Sequence, residues 1–131
     1  MKIHKEKQSL LIIEDETAML TALTEKFERE GFSVTGAQDG KTGLDRALSL
    51  KPDLILLDIV LPVMDGLTVL KRLRSANTWG KTVPVILLTN LSADNADIVR
   101  TIAETEPAYY LVKTDWTTEQ LVEKVRERLG R

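Results

Sequence analysis

Four short runs of consecutive apolar residues punctuate the chain: Leu10-Leu11-Ile12-Ile13, Leu54-Ile55-Leu56-Leu57, Val85-Ile86-Leu87-Leu88 and Tyr109-Tyr110-Leu111-Val112. Unbroken aliphatic runs of this length predict strands buried on both faces, as in a parallel sheet covered by helices. Between them the apolar spacing lengthens to helical periods. Strands are expected over residues 9–14, 32–37, 53–58, 83–89 and 108–112. A first helix is expected over 16–30, with Met19, Leu20, Leu23 and Phe27 on its core face and Gly31 as its stop. A second follows the Gln38-Asp39-Gly40 turn and carries Leu44, Ala47, Leu48 and Leu50 until Pro52 ends it.

A loop over 59–65 holds Pro62, and Gly66 opens a third helix with Leu67, Leu70 and Leu73 on one face. Trp79-Gly80 falls in the connection to the fourth strand. The polar stretch from Ser92 to Asp97 starts a fourth helix containing Ile98, Val99 and Ile102. A fifth helix over 117–129 points Leu121, Val122, Val125 and Leu129 inward, and Thr117 with Gln120 forms a capping box at its start. Five strands alternating with five helices make a parallel α/β domain, with no internal repeat, linker or low-complexity segment.

In such a sheet the C-terminal ends of the strands share one edge, where ligands bind at the point of strand-order reversal. Five polar side chains stand at or just past those ends: Glu14, Asp15, Asp58, Thr89 and Lys113. Three carboxylates so placed repel one another unless a cation or protons neutralise them. A hard divalent ion with oxygen ligands answers that need, and Mg²⁺, which keeps several waters, suits an open loop site. An ammonium and a hydroxyl aimed at the same pocket match the oxygens of a phosphoryl group. The set therefore reads as a site for phosphoryl transfer onto a carboxylate.

Length and composition narrow the field. At 131 residues the chain fits one domain able to bury a core. Its formal net charge of −2 favours neither nucleic acid nor an anionic membrane as a bulk partner. The absence of cysteine excludes disulfides, thiolate metal sites and a cysteine nucleophile, and fits a reducing, cytoplasmic compartment. No stretch approaches the roughly 20 apolar residues of a membrane span. The basic start lacks the apolar core of a secretory signal. Residues 1–8 are expected to be a flexible tail carrying the single histidine, His4, ahead of one domain over 9–131.

The chain resembles the receiver domain of two-component response regulators, over about residues 9–129. Four segments carry the resemblance: Leu11-Ile12-Ile13-Glu14-Asp15-Glu16, the run from Asp58 to Gly66 with Pro62 and Asp65, Pro84-Val85-Ile86-Leu87-Leu88-Thr89, and Tyr110-Leu111-Val112-Lys113. It implies a flavodoxin-like (βα)5 fold with strand order 2-1-3-4-5. It further implies that Asp58 accepts the phosphoryl group from a histidine kinase or histidine phosphotransfer protein. Asp15 and Asp58 would ligate Mg²⁺ directly, Glu14 mostly through water, and Val60 through its backbone carbonyl. Lys113 would contact the phosphoryl oxygens, Thr89 would move to hydrogen-bond them, and Tyr110 would swing inward behind it. The face made by the fourth helix, fifth strand and fifth helix would be the output surface.

The implied protein is a signalling phosphoacceptor, an enzyme only in its own phosphorylation and dephosphorylation. It would have an unknown downstream partner, no direct nucleic-acid or membrane contact, and a monomeric state or a phosphorylation-dependent dimer. A degenerate receiver acting as an interaction scaffold is the alternative. A haloacid-dehalogenase-type hydrolase would want an Asp two residues after the nucleophile, where Val60 stands. A flavodoxin-type flavin binder would want a Ser/Thr/Gly-rich loop in place of Glu14-Asp15-Glu16.

Four positions depart from the family pattern: Asn90 where a small residue is usual, Thr114 where a cis proline is usual, and Glu106 and Pro107 in place of Gly-Ala. Asp39 and Asp65 read as turn chemistry, Glu16 as an outward residue of the first helical turn, and Trp79 and Trp116 as loop anchors.

Overall fold

The computed structural model describes residues 7–90 and 96–130. Most of the expected tail, His4 included, lies outside them, as do residues 92–95 of the polar stretch. Five parallel strands pair in the order β2-β1-β3-β4-β5: β1 (Ser9–Ile13), β2 (Ser33–Ala37), β3 (Leu54–Asp58), β4 (Val85–Thr89) and β5 (Tyr109–Val112). The helices are α1 (Thr17–Arg29), α2 (Gly40–Leu50), α3 (Gly66–Ala76), α4 (Thr78–Thr82), α5 (Ala96–Thr105) and α6 (Thr118–Leu129). The expected strand order holds. The expected count of five helices does not, because α4 intervenes before β4.

Helix α4 is five residues long, too short for an apolar period to betray it. Local chemistry explains it instead. Asn77 Oδ1 accepts from the Gly80 N–H at 2.7 Å, and Trp79 packs against the core. A Cβ at Gly80 would lie 2.1 Å from the Leu73 carbonyl oxygen, so only glycine lets α4 sit this close to α3. Trp79 is thus a helix residue and not a loop anchor.

Strand alternation divides the core in two. Leu11, Ile13, Ile55, Leu57, Val85 and Leu87 face α2, α3 and α5, whereas Leu10, Ile12, Leu54, Leu56, Ile86 and Leu88 face α1 and α6. The central strands β1, β3 and β4 are buried almost throughout, while the edge strand β5 is only half-buried. Leu50 and Val99, both on apolar-looking stripes, are exposed. Across the second layer α1 and α6 are laced by charge: Lys26 bonds Glu30 and Glu119, and Arg126 bonds Glu30 at 2.7 Å.

The expected turn chemistry appears as helix caps. Asp39 Oδ1 accepts from Thr42 N–H at 2.7 Å and Asp65 Oδ1 from Thr68 N–H at 3.0 Å. The capping box of Thr117 and Gln120 is complete. Glu16 takes the N-cap position of α1 rather than its first turn, and is exposed.

Candidate functional site: a carboxylate cluster bridged by a lysine

The close of β1 and β3 brings two carboxylates to one point. The Glu14 N–H donates to Ala37 O at 2.9 Å, so β2 holds the residue after β1 in place. Asp58 is the last residue of β3 and pairs in register with Leu88. Both are buried, Glu14 with 2% and Asp58 with 6% of its surface exposed, while Asp15 is exposed at the mouth. Ligand oxygens of the three residues lie within 4.8 Å of one another.

Each buried carboxylate has one backbone partner. Glu14 Oε2 accepts from the Glu16 N–H at 3.1 Å, and Asp58 Oδ1 accepts from the Val60 N–H at 3.2 Å. Their other oxygens share Lys113, the first residue past β5. Its Nζ donates to Asp58 Oδ2 at 3.0 Å and to Glu14 Oε1. Burial alone would push the Lys113 ammonium towards neutrality. The hydrogen bonds to Glu14 and Asp58, with the charges of both, outweigh burial and raise its pKa above the ordinary lysine value.

The loop after Asp58 is fixed by close backbone approach. Gly66 N–H donates to Ile59 O at 2.7 Å, and a Cβ there would lie 2.0 Å from the Asp58 carbonyl oxygen. A Cβ at Gly40 would lie 1.7 Å from Met64 O, which brings the start of α2 onto the same loop. Between them Val63 adopts φ +70°, rare for a β-branched residue, in a tight turn closed by Met64 N–H to Pro62 O at 2.8 Å.

The remaining expected residues surround this cluster. Thr89 ends β4, is fully buried, and pairs in register with Val112, next to Lys113. Tyr110 pairs with Leu87 and packs half-buried against the core layer of α2, α3 and α5. Val60 is exposed beside Asp58. Asn90 is exposed, and no peptide bond among the described residues is cis, Lys113–Thr114 included. Trp116 closes the 3-10 turn Lys113–Asp115 and packs against the second core layer. The sequence places Gly40 in a turn and Gly66 at the opening of a helix, but does not show their close contacts, because the contacting carbonyls of Met64 and Asp58 belong to other segments.

Three carboxylates and one ammonium leave net negative charge in a pocket of oxygen donors. That donor set suits a hard dication, which keeps its preference for oxygen and tolerates an exposed third ligand. The family model for the response regulator receiver domain matches residues 10–126. A transcriptional regulatory protein CseB of Streptomyces avermitilis is 37% identical over 94 residues, 72% of this chain and 38% of the relative. The DNA-binding response regulator MtrA of Mycobacterium leprae is 34% identical over 125 residues, 95% of this chain and 52% of the relative. The chain thus spans between a third and about half the length of the curated relatives it matches. A CheY-like response regulator receiver domain from Methanospirillum hungatei superposes with a TM-score of 0.84 at 25% identity, covering 95% of this chain and 94% of that one. Among the described residues no helix is long and apolar enough to cross a membrane. With the sheet order, the lysine-bridged carboxylates and these likenesses in agreement, the chain belongs to the response regulator receiver domains.

Proposed function

We propose that this receiver is a phosphoacceptor switch in which Asp58 takes a phosphoryl group from a phosphohistidine of a histidine kinase or histidine phosphotransfer protein. One Asp58 oxygen bonds to phosphorus as the P–N bond to the donor ring breaks, and the bonding pair stays on the ring nitrogen. The observation that supports this most is the environment of the Asp58 carboxylate: buried, oriented by the Val60 N–H, and paired with Lys113. Asp15 and Asp58, with Glu14 through water and the Val60 carbonyl, are the residues that would hold Mg²⁺. Bound there, the ion would supply positive charge against the phosphoryl oxygens.

Lys113 then exchanges its bond to Asp58 for one to a phosphoryl oxygen, and the Thr89 hydroxyl donates to another. Tyr110, on the same register rung as Leu87, follows Thr89 inward and alters the surface of α5, β5 and α6. The role is signalling in the cytoplasm, as a monomer or a phosphorylation-dependent dimer, with no chemistry on other substrates. The scaffold alternative would be favoured by a broken site, and each charged group is in place.

Intact mass after acetyl phosphate with Mg²⁺ tests the assignment. Wild type gains an acid-stable, hydroxylamine-sensitive phosphoryl adduct and Asp58→Asn gains none. Undiminished labelling of Asp58→Asn would remove Asp58 from the role.

A further inference from the structure

Opposite the carboxylate cluster, where the strands begin, a cleft of about 540 Å³ opens between the ends of α3, α4, α5 and α6. Arg74, Lys81 and Arg128 line it together with Glu104 and Glu106. Helices that end at this edge gather partial negative charge on their last carbonyls, which accounts for the cations. With two carboxylates also present, the cleft is not an anion site. What stands out is the use made of Arg74.

The Arg74 guanidinium donates to four main-chain carbonyls. Nε donates to Thr105 O at 2.8 Å, one amino group to Gly80 O at 2.9 Å and Val83 O at 2.7 Å, and the other reaches Glu106 O at 3.5 Å. One side chain of α3 therefore ties α4, the approach to β4 and the end of α5 together. The held segment is itself unusual. Glu106 has φ +46° without being glycine and directly precedes Pro107, which narrows its choices further. Two backbone bonds keep it there: Glu106 N–H to Ile102 O at 3.0 Å, and Ala108 N–H to Val85 O at 2.8 Å.

The other end of α5 begins at Ala96, on the sheet edge that carries Thr89 and Asp58. Helix α5 packs through Ile98 and Thr101 along its length and Thr105 at its end, with Val99 and Ala103 facing out. We infer that α5 works as a lever whose pivot is the Arg74 guanidinium. When the Asp58 site changes state the beginning of α5 moves, while Thr105 and Glu106 stay fixed on α3. The lever rests on the phosphoacceptor reading; the pivot itself is testable without it.

The chain has no cysteine, so spin-label pairs can be placed freely. Glu28→Cys on α1 serves as reference for Ala96→Cys or Glu104→Cys on α5, all at exposed positions. With Mg²⁺ and beryllofluoride, the Ala96 distance is expected to shift by about 2 Å or more and the Glu104 distance by less than about 1 Å. In Arg74→Met both distances shift. Equal movement at both labels in wild type, movement at neither, or an Arg74→Met protein that behaves as wild type overturns the lever. Without any phosphoryl analogue, Arg74→Met should speed hydrogen exchange of the Glu106 and Ala108 amides about tenfold, with Arg74→Lys in between. Unchanged exchange there overturns the pivot even if Asp58 is labelled normally. Absence of labelling at Asp58 in wild type, with faster exchange in Arg74→Met, instead overturns the switch reading and the lever with it, and leaves the pivot standing.

Discussion

Replacing Lys113 with methionine keeps the volume of the side chain and removes the one cation shared by Glu14 and Asp58. Both carboxylates are buried and within reach of each other, so the variant leaves two uncompensated charges where wild type has a bridged trio. Breaking a buried pair from one side costs about 3–5 kcal/mol. Each carboxylate keeps one backbone donor, from Glu16 and Val60, and Asp15 remains in water. The loss should therefore fall near the lower end, about 3 kcal/mol, or a fall in Tm of roughly 10 °C for a chain of this size. Urea denaturation in EDTA measures it directly. Mg²⁺ at a hundred times its dissociation constant should return about 2.7 kcal/mol to the variant. At any given Mg²⁺ concentration the variant gains more than wild type, in which the ion competes with Lys113 for the same oxygens. A loss below about 1 kcal/mol, the worth of an exposed ion pair, would refute the reasoning, as would an equal response of both proteins to Mg²⁺.

Further expectations follow from local geometry. Gly66→Ala should cost about 2–3 kcal/mol and slow labelling of Asp58, since the new methyl meets the Asp58 carbonyl; unchanged stability would mean that the loop yields freely. Lys51 ends α2 in the left-handed region at φ 48°, so Lys51→Gly should stabilise the fold by about 0.5 kcal/mol without affecting labelling. Backbone and side-chain hydrogen bonds from Thr42 hold the Asp39 carboxyl below its ordinary pKa. That contribution is complete above the unfolded value, near 3.9, and is lost as pH falls through the lower folded value. Asp39→Asn should therefore lose less Tm than wild type between pH 5 and 2.5, and parallel profiles would exclude the cap from acid unfolding.

Most of the site could be read from strand ends alone. Glu14, Asp58 and Thr89 each follow or close an aliphatic run, and a parallel sheet leaves those ends nowhere else to go but one edge. The capping box of Thr117 was equally plain, because its partners lie three residues apart. What escaped the sequence depended on distant partners. Lys113 is expected in the same pocket as the carboxylates, but which oxygens its ammonium bridges is not: Glu14 Oε1 and Asp58 Oδ2, from residues 99 and 55 positions away. Arg74 sits four residues after Leu70, on the apolar side of α3, a signal of burial that gave no hint of which carbonyls it would reach. Helix α4 escaped because five residues carry no period. The usual Gly at position 106 and the observed φ are in agreement: the family pattern names the residue type that this backbone favours, and Glu106 occupies it under restraint.

The two-layered core also sets an order of events during synthesis. Strands β1 and β3 are covered on one side by α2, which emerges just before β3, and α3, which emerges just after it. Their other side awaits Leu121, Val122 and Val125 of α6, close to the end of the described chain. Until those residues leave the ribosome, Leu10, Ile12, Leu54 and Leu56 present an open apolar sheet with only α1 to shield it. Such surfaces attract chaperones and unpaired strands of other chains. The charge lacing of α1 to α6 joins residues more than ninety positions apart, so it forms only once α6 has been made, sealing this side of the nascent sheet after all five strands have emerged.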